Sequence, residues 1–160
     1  MGLAEVSSIL WREREMLELL LFKLEEEQLV LASGRTRWLS RTTREVDMVL
    51  EEIRRTEVLR AMEVDAVASA LGLPSNASLG ALAAAAPEPW RGILTSHRQA
   101  FLTLTAEISA LAETNRDLLT AGQRAAHETL LSLTDGLQTY APDGAAVASA
   151  GRGRLVDEAM

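Results

Sequence analysis

The pattern of apolar positions in the first third of the chain predicts one long helix over about residues 3–33. Apolar residues recur at steps of three, four or seven, which places them on a single helical face. The members of this face are Leu3, Val6, Leu10, Leu17, Leu20, Leu24 and Leu31. Acidic residues, Glu13 and Glu27, occupy two turns at which the face should be apolar. Gly34 follows as a helix-ending residue, so we predict an amphipathic helix with two polar interruptions.

A second helix of similar length is predicted over about residues 36–71. Its apolar face steps mostly by three and four and comprises Leu39, Thr42, Val46, Val49, Ile53, Val64, Val67 and Leu71. Either Leu59 or Arg60 continues it through the middle. Gly72 and Pro74 then end the helix, because glycine terminates helices and proline resists their continuation. Two long helices joined by a very short connection predict an antiparallel hairpin.

A crossover and a third long helix complete the predicted fold. Residues 72–89 are rich in proline, serine and alanine, and Ser78 can cap a short helix over about residues 78–86. The third helix is expected over about residues 88–140. Its apolar face comprises Trp90, Ile93 or Leu94, His97, Phe101, Leu104, Ile108, Leu111, Asn115, Leu118, Gly122, Ala125 and Thr129. Leu130 and Leu133 extend an apolar edge toward Tyr140.

Two features of this last helix bear on function. Asn115 stands in the apolar face, where a buried amide fixes the register or the geometry of a partner; alternatively it faces water near a bend. From Gly122 onward the face carries small residues, which leave a groove rather than a filled interface. An apolar groove between long helices accepts an amphipathic helix from another chain.

Beyond residue 140 the sequence has no apolar period, so residues 141–160 are predicted to be a flexible tail.

We therefore predict an all-α fold, an elongated antiparallel bundle of three long helices over residues 1–140 with a short helical crossover. The length of 160 residues is that of one domain. The chain has no cysteine, and a formal charge of −7 argues against nucleic acid. No long uncharged apolar run is present, and the N-terminal stretch carries Glu5 without a basic start. We expect a cytoplasmic protein that does not insert into membranes.

Candidate chemistry is sparse. A histidine phosphotransfer module needs an exposed histidine on a helical bundle, and His97 is the candidate, although its position on the apolar face predicts partial burial. No ligand set with metal-binding spacing and no phosphate-binding loop is visible, so we predict no catalytic, metal or cofactor site. A basic cluster near the hairpin turn, Arg35, Arg37, Arg41 and Arg44, either pairs with acidic neighbours or meets an acidic partner. A self-assembling structural coiled coil is the remaining alternative.

The order of parts resembles the FlgN family of flagellar type III export chaperones. One pattern carrying the resemblance is Asn115-Arg116-Asp117-Leu118-Leu119, with Gly122 following. A second is Tyr140-Ala141-Pro142-Asp143-Gly144 before the tail, and a third is Glu25-Glu26-Glu27-Gln28-Leu29 leading to Gly34. The chain departs from the family pattern at Ala141-Pro142 and in its long alanine-rich crossover.

The resemblance implies a role without catalysis. Such chaperones bind hook–filament junction proteins, also called hook-associated proteins, prevent their premature self-association and deliver them to the export gate. Carried over by motif, it implies that Asn115, Leu118 and Leu119 contact the cargo and that Tyr140 contacts the gate. We add Gly122, Leu130 and Leu133 to the predicted partner-binding residues because they continue the same helix face.

Overall fold

The fold is an all-α bundle, as the periodicity predicts. The computed structural model describes residues 2–139, with side chains described through residue 136. Every regular element in that range is helical: α1 (Leu3–Ser33), a 3-10 turn (Thr36–Trp38), α2 (Leu39–Ala70), α3 (Leu79–Ala85) and α4 (Trp90–Thr139). None of the helices within this range is long and apolar enough to cross a membrane.

The predicted helix ends are set by local chemistry. Gly34 adopts a left-handed conformation with φ of 69°, and its N–H donates to Leu31 O at 3.4 Å, as expected for a glycine that ends a helix. The Ser78 hydroxyl oxygen accepts a hydrogen bond from the Ala81 N–H at 3.1 Å and caps α3. Two helix starts differ from the prediction. Residues 36–38 form a tighter 3-10 turn, so α2 begins at Leu39, and α4 begins at Trp90 instead of near residue 88.

The internal contacts divide the chain into two units, one ending at Leu118 and the other beginning at Leu119. In the first unit, the backbones of α1 and α2 approach closely, which makes the predicted hairpin. One core cluster joins this hairpin to α3 and the start of α4 and contains Val6, Leu10, Val64, Val67, Ala68, Leu82, Ala83, Ala86 and Leu94. The other core cluster contains Leu17, Leu20, Leu24, Val46, Val49 and Ile53 from the hairpin alone.

The first part of α4 packs on the hairpin through large side chains. Phe101, Leu104, Ile108 and Leu111 contact the second core cluster, yet each stays half-buried. By contrast, the α1 and α2 residues in that cluster are fully buried. In this second cluster the hairpin therefore supplies the closed interior, and α4 covers it with side chains that are only partly enclosed, whereas Leu94 and His97 nearer the start of α4 are fully buried.

The second unit contains the C-terminal part of α4, from Leu119 to Thr139. No side chain between residues 119 and 136 is buried. The predicted flexible tail over residues 141–160 lies outside the residues that the structure describes, and so does Tyr140.

Candidate partner-binding surface on the last helix

Asn115 is buried and connects α4 to α1. Its side-chain Nδ2 donates to Leu24 O at 2.9 Å and to a carboxylate oxygen of Glu27 at 3.1 Å. This contact decides between the two interpretations of the sequence, since the amide does not face water. Asn115 Oδ1 is buried without a hydrogen-bond partner, which adds a desolvation cost to the arrangement. The amide therefore tethers α4 to the hairpin through two hydrogen bonds, and its unpartnered oxygen offsets part of the stability that they contribute.

Glu27 joins three helices through this contact. One carboxylate oxygen accepts from Asn115 of α4, and the other accepts from the Thr43 hydroxyl of α2 at 3.2 Å. Glu27 itself belongs to α1, where it interrupts the apolar face. Glu27, which interrupts the apolar face of α1, is thus the polar junction between the three long helices. Its partner on α4, Asn115, lies three residues before Leu118, where the first unit ends.

The second acidic interruption of α1 is a buried ion pair. Glu13 is almost fully enclosed, and both of its carboxylate oxygens accept from Arg60 Nη1, at 3.1 and 2.9 Å. Burial raises the pKa of Glu13, and the charge of Arg60 opposes that shift. Arg60, and not the exposed Leu59, therefore continues the buried face of α2. Sequence periodicity marked both positions but could not pair them.

His97 is enclosed at the contact between α1 and α4. Its ring lies edge-on to Trp11 with centroids 4.9 Å apart, and Ser7 Oγ lies 3.4 Å from Nε2. Burial lowers the pKa of His97, and the positive charge of Arg14 lowers it further. Nδ1 is buried as well. A phosphodonor cannot reach either ring nitrogen of a histidine so enclosed, so the geometry speaks against the phosphotransfer alternative.

The predicted partner-binding residues beyond Asn115 lie on an increasingly exposed face of α4. Leu118 is half-buried, and Gly122 is exposed with open space where a Cβ would stand. Leu119, Leu130 and Leu133 are 40%, 51% and 60% exposed. Their spacing by three, four, seven or eleven residues places them on one helix face. In the second unit this face is an exposed apolar strip, which we call the α4 strip, formed by Leu119, Gly122, Ala126, Leu130 and Leu133.

The structure thus separates the predicted site residues into groups. Asn115 is bonded inside the bundle, whereas Leu119, Gly122, Leu130 and Leu133 are accessible to a partner. Leu118 lies between these groups, and Tyr140 lies outside the described residues. Within the described part of the chain, no three acidic or histidine side chains cluster closely enough to hold a metal ion.

Comparison with known proteins identifies the family. A family model described as FlgN protein matches residues 1–148, which confirms the resemblance seen in the motifs. No curated protein and no solved structure matches the chain. The matched segment includes all four helices and the α4 strip. The chain therefore belongs to the FlgN family, a family of flagellar export chaperones.

Proposed function

We propose that this protein is a cytoplasmic chaperone that binds hook-associated proteins, the proteins of the hook–filament junction. It prevents their premature self-association and delivers them to the flagellar type III export gate. The observation that carries the proposal is the α4 strip, an apolar helix face whose leucines are exposed. Exposed apolar surface of this kind is a feature of binding sites, since it favours burial against another chain.

The cargo segment that suits this strip is an amphipathic helix. Leu119, Leu130 and Leu133 present three apolar anchors, and the small residues between them, Gly122 and Ala126, admit a large side chain of the cargo. Helical segments that self-associate in the assembled junction expose the same kind of apolar face before assembly. Covering that face would keep the cargo monomeric until export.

The strength of cargo binding follows from the exposed fractions of the anchors. Together these fractions amount to about one and a half leucine side chains, and full burial of a leucine contributes roughly 1.5–3 kcal/mol. Loss of all three anchors should therefore cost roughly 2–5 kcal/mol, which is on the order of 30-fold to 3,000-fold in Kd.

The test is binding of purified hook-associated protein by calorimetry. Leu130→Asp combined with Leu133→Asp should reduce affinity by more than about tenfold, because both anchors would present a charge to an apolar face. Leu131 provides a matched control, since it is a leucine of the same helix segment on a different face. Leu131→Asp should bind like the unmodified protein. Equal binding by the double variant and the unmodified protein would refute the assigned surface.

Delivery to the gate is proposed to depend on Tyr140. The Tyr140→Ala variant should retain its affinity for hook-associated protein and lose binding to the export-gate protein. A variant that loses both, or neither, would contradict this division between cargo contact and gate contact.

A further inference from the structure

A stripe of exposed residues runs along the outer side of α2, opposite its buried face. Its steps alternate strictly between four and three residues, which is the spacing by which two helices pair in a coiled coil. Its members are Arg44, Met48, Glu51, Arg55, Val58 and Met62, and all are exposed. We call this set the α2 outer stripe. The residues that α2 buries, among them Val46, Val49 and Ile53, lie on another face.

Apolar side chains occupy half of the stripe. Met48, Val58 and Met62 are 65%, 62% and 66% exposed. Removal of such side chains from water is the main driving force for pairing of helices in solution. Arg41, one turn before the stripe, already pairs with Glu45 at 3.3 Å. The stripe proper therefore begins at Arg44.

The order of residues in the stripe is self-complementary about position 53. When two identical helices lie antiparallel with position 53 of each at the same level, every residue faces the one equally far on the other side. The facing pairs, one residue from each copy, are then Met48 with Val58, Glu51 with Arg55, and Arg44 with Met62. A closed two-fold dimer requires self-complementarity of this kind. A surface for an unrelated protein has no reason to be matched about one of its own residues.

The central layers of this pair bring four charges together in alternation. Within one chain Arg55 contacts Glu51 at 3.6 Å, and the two side chains are 69% and 55% exposed. Exposed ion pairs of this kind contribute little stability by themselves. In the antiparallel pair each Arg55 lies between Glu51 of its own chain, one turn away, and Glu51 of the second copy. The existing ion pair is therefore extended by pairing and is not broken.

The outer layers complete the match. Met48 packs on Val58 of the second copy in two equivalent layers, one on each side of the centre. Arg44 has no ion pair with the residues that the structure describes. Its long apolar stem can lie along Met62 of the second copy while the guanidinium group stays in water.

Like charges approach each other only at the rims of the pair. Glu52 lies on one rim and Arg54 on the other, each close to its equivalent in the second copy. Glu52 already accepts a hydrogen bond from Arg12 at 3.0 Å, and Arg54 contacts Glu51 at 3.6 Å. Each of these charges therefore has an opposite charge in its own chain, which limits the repulsion.

Other registers of two copies lack this match. An antiparallel pair shifted by one heptad in one direction sets Arg44 against Arg55, and a shift in the other direction sets Glu51 against Met62. A parallel pair in register sets Arg44, Glu51 and Arg55 each against itself, which is repulsive. A parallel pair shifted by one heptad has no two-fold axis and would continue into an open chain of copies.

We propose that the α2 outer stripe pairs with the same stripe of a second copy, so that the protein forms an antiparallel two-fold dimer. The stripe is about 27 Å long at about 1.5 Å per residue. Because this seam is short, we expect a reversible dimer with a Kd on the order of 10 µM. The interface lies on α2 and does not depend on the proposed role of the α4 strip.

The first test is sedimentation equilibrium of the purified chain from about 1 to about 500 µM, a range that brackets this Kd. Met48→Glu should raise the Kd by more than about tenfold, because it places a carboxylate in both apolar layers. Leu29→Glu is the matched control, since Leu29 is an exposed apolar residue of α1, and it should leave the Kd unchanged. A monomer over the whole range, or a dimer that only Leu130→Asp with Leu133→Asp dissociates, would overturn the proposal.

The second test exchanges the central charges. Glu51→Arg alone sets arginine against arginine, and Arg55→Glu alone sets glutamate against glutamate, so each variant should dimerise on the order of tenfold more weakly. An equal mixture of the two variants restores both opposite-charge layers and should associate almost as well as the unmodified chain. Glu25→Arg, a charge reversal at an exposed position of α1, should have no effect. Equal association of the mixture and of the separate variants would contradict the register.

The third test traps the register with a disulfide, which is possible because the chain has no cysteine. A mixture of Met48→Cys and Val58→Cys should form a covalent dimer on mild oxidation. Each variant alone should form little, because equivalent positions lie about 15 Å apart along the seam, beyond the reach of a disulfide. Equal yields from the mixed and the separate samples would refute the pairing.

Two further outcomes separate this proposal from others. A photo-crosslinking amino acid at position 58 should attach to a second copy of this chain in cells, and a crosslink to a different protein in its place would overturn the dimer. Met48→Glu should keep its affinity for hook-associated protein. Failure of the dimer and failure of the chaperone proposal can therefore be told apart.

Discussion

Replacement of Asn115 by alanine should destabilise the bundle without removing the partner-binding surface. The variant loses the hydrogen bonds from Asn115 Nδ2 to Leu24 O and to the Glu27 carboxylate. A net contribution of about 0.5–1.5 kcal/mol is expected for the first and about 1.5–3 kcal/mol for the second, whose acceptor is charged. The variant also removes the unpartnered Oδ1, which offsets about 1 kcal/mol. We therefore expect Asn115→Ala to lower the free energy of unfolding by roughly 1–3.5 kcal/mol.

The measurement is urea unfolding followed by far-ultraviolet circular dichroism. For a chain of this length the expected loss corresponds to a decrease in Tm of roughly 2–14 °C. Thr114 provides the control, because it is the neighbouring residue and its exposed hydroxyl bonds only within α4, to Ala110 O. Thr114→Ala should change stability by less than about 0.5 kcal/mol. A loss that small for Asn115→Ala would refute the role of the amide as the tether of α4.

A double-mutant cycle with Glu27→Gln separates charge from shape. Glutamine keeps an acceptor oxygen for Asn115 but removes the negative charge, so the coupling between the two positions should fall toward that of a neutral hydrogen bond. Binding of hook-associated protein, measured well below the unfolding midpoint, should be nearly unchanged in Asn115→Ala. A large loss of affinity at full folding would instead assign Asn115 to the cargo contact that the family motif implies.

Two further predictions concern the buried ionisable groups. Arg60→Leu leaves the buried Glu13 carboxylate without its cation and should cost about 2–4 kcal/mol at neutral pH, somewhat less than for a fully buried pair because Arg60 is partly exposed. Since the pKa of Glu13 is raised, this loss of stability should shrink as the pH falls through that pKa. Glu13→Gln added to Arg60→Leu should recover part of the lost stability at neutral pH. Urea midpoints of Arg60→Leu that are equally low at acidic and neutral pH would contradict this reasoning. The pKa of His97 is lowered by burial, so the stability that its neutral ring contributes is present above its ordinary pKa of 6.5 and is lost as the pH falls through the lowered value. Urea midpoints of His97→Gln should therefore depend less on pH below 6.5 than those of the unmodified chain.

Periodicity predicted the helices because each long element must turn one apolar face toward a core. The same reasoning marked Glu13, Glu27 and Asn115 as residues that break the pattern, but it did not mark the buried Ser7 and Thr56. It could not predict their partners, since Glu13 pairs with a residue 47 positions away and Asn115 with residues about 90 positions away. Such pairs depend on the register between helices, which the spacing within one helix does not fix.

The candidate surface on α4 was predictable in part. Its apolar positions continue at helical spacing beyond Asn115, and the leucines there, Leu119, Leu130 and Leu133, are exposed.

The arrangement of the core explains how a chaperone of this size can leave so much apolar surface open. The tightly buried residues of the second core cluster come from α1 and α2, whereas α4 contributes side chains that stay half-buried there. The folding stability therefore resides chiefly in the hairpin and in the junction around Glu27, and little of it depends on the exposed leucines between residues 119 and 136. Substitutions in the α4 strip should consequently change partner affinity at nearly constant unfolding free energy, and substitutions of Asn115 or Arg60 should do the reverse. If Leu130→Asp lowered the free energy of unfolding as much as Asn115→Ala does, this separation between stability and partner binding would be refuted. The exposed leucines would then have to be counted as part of the core.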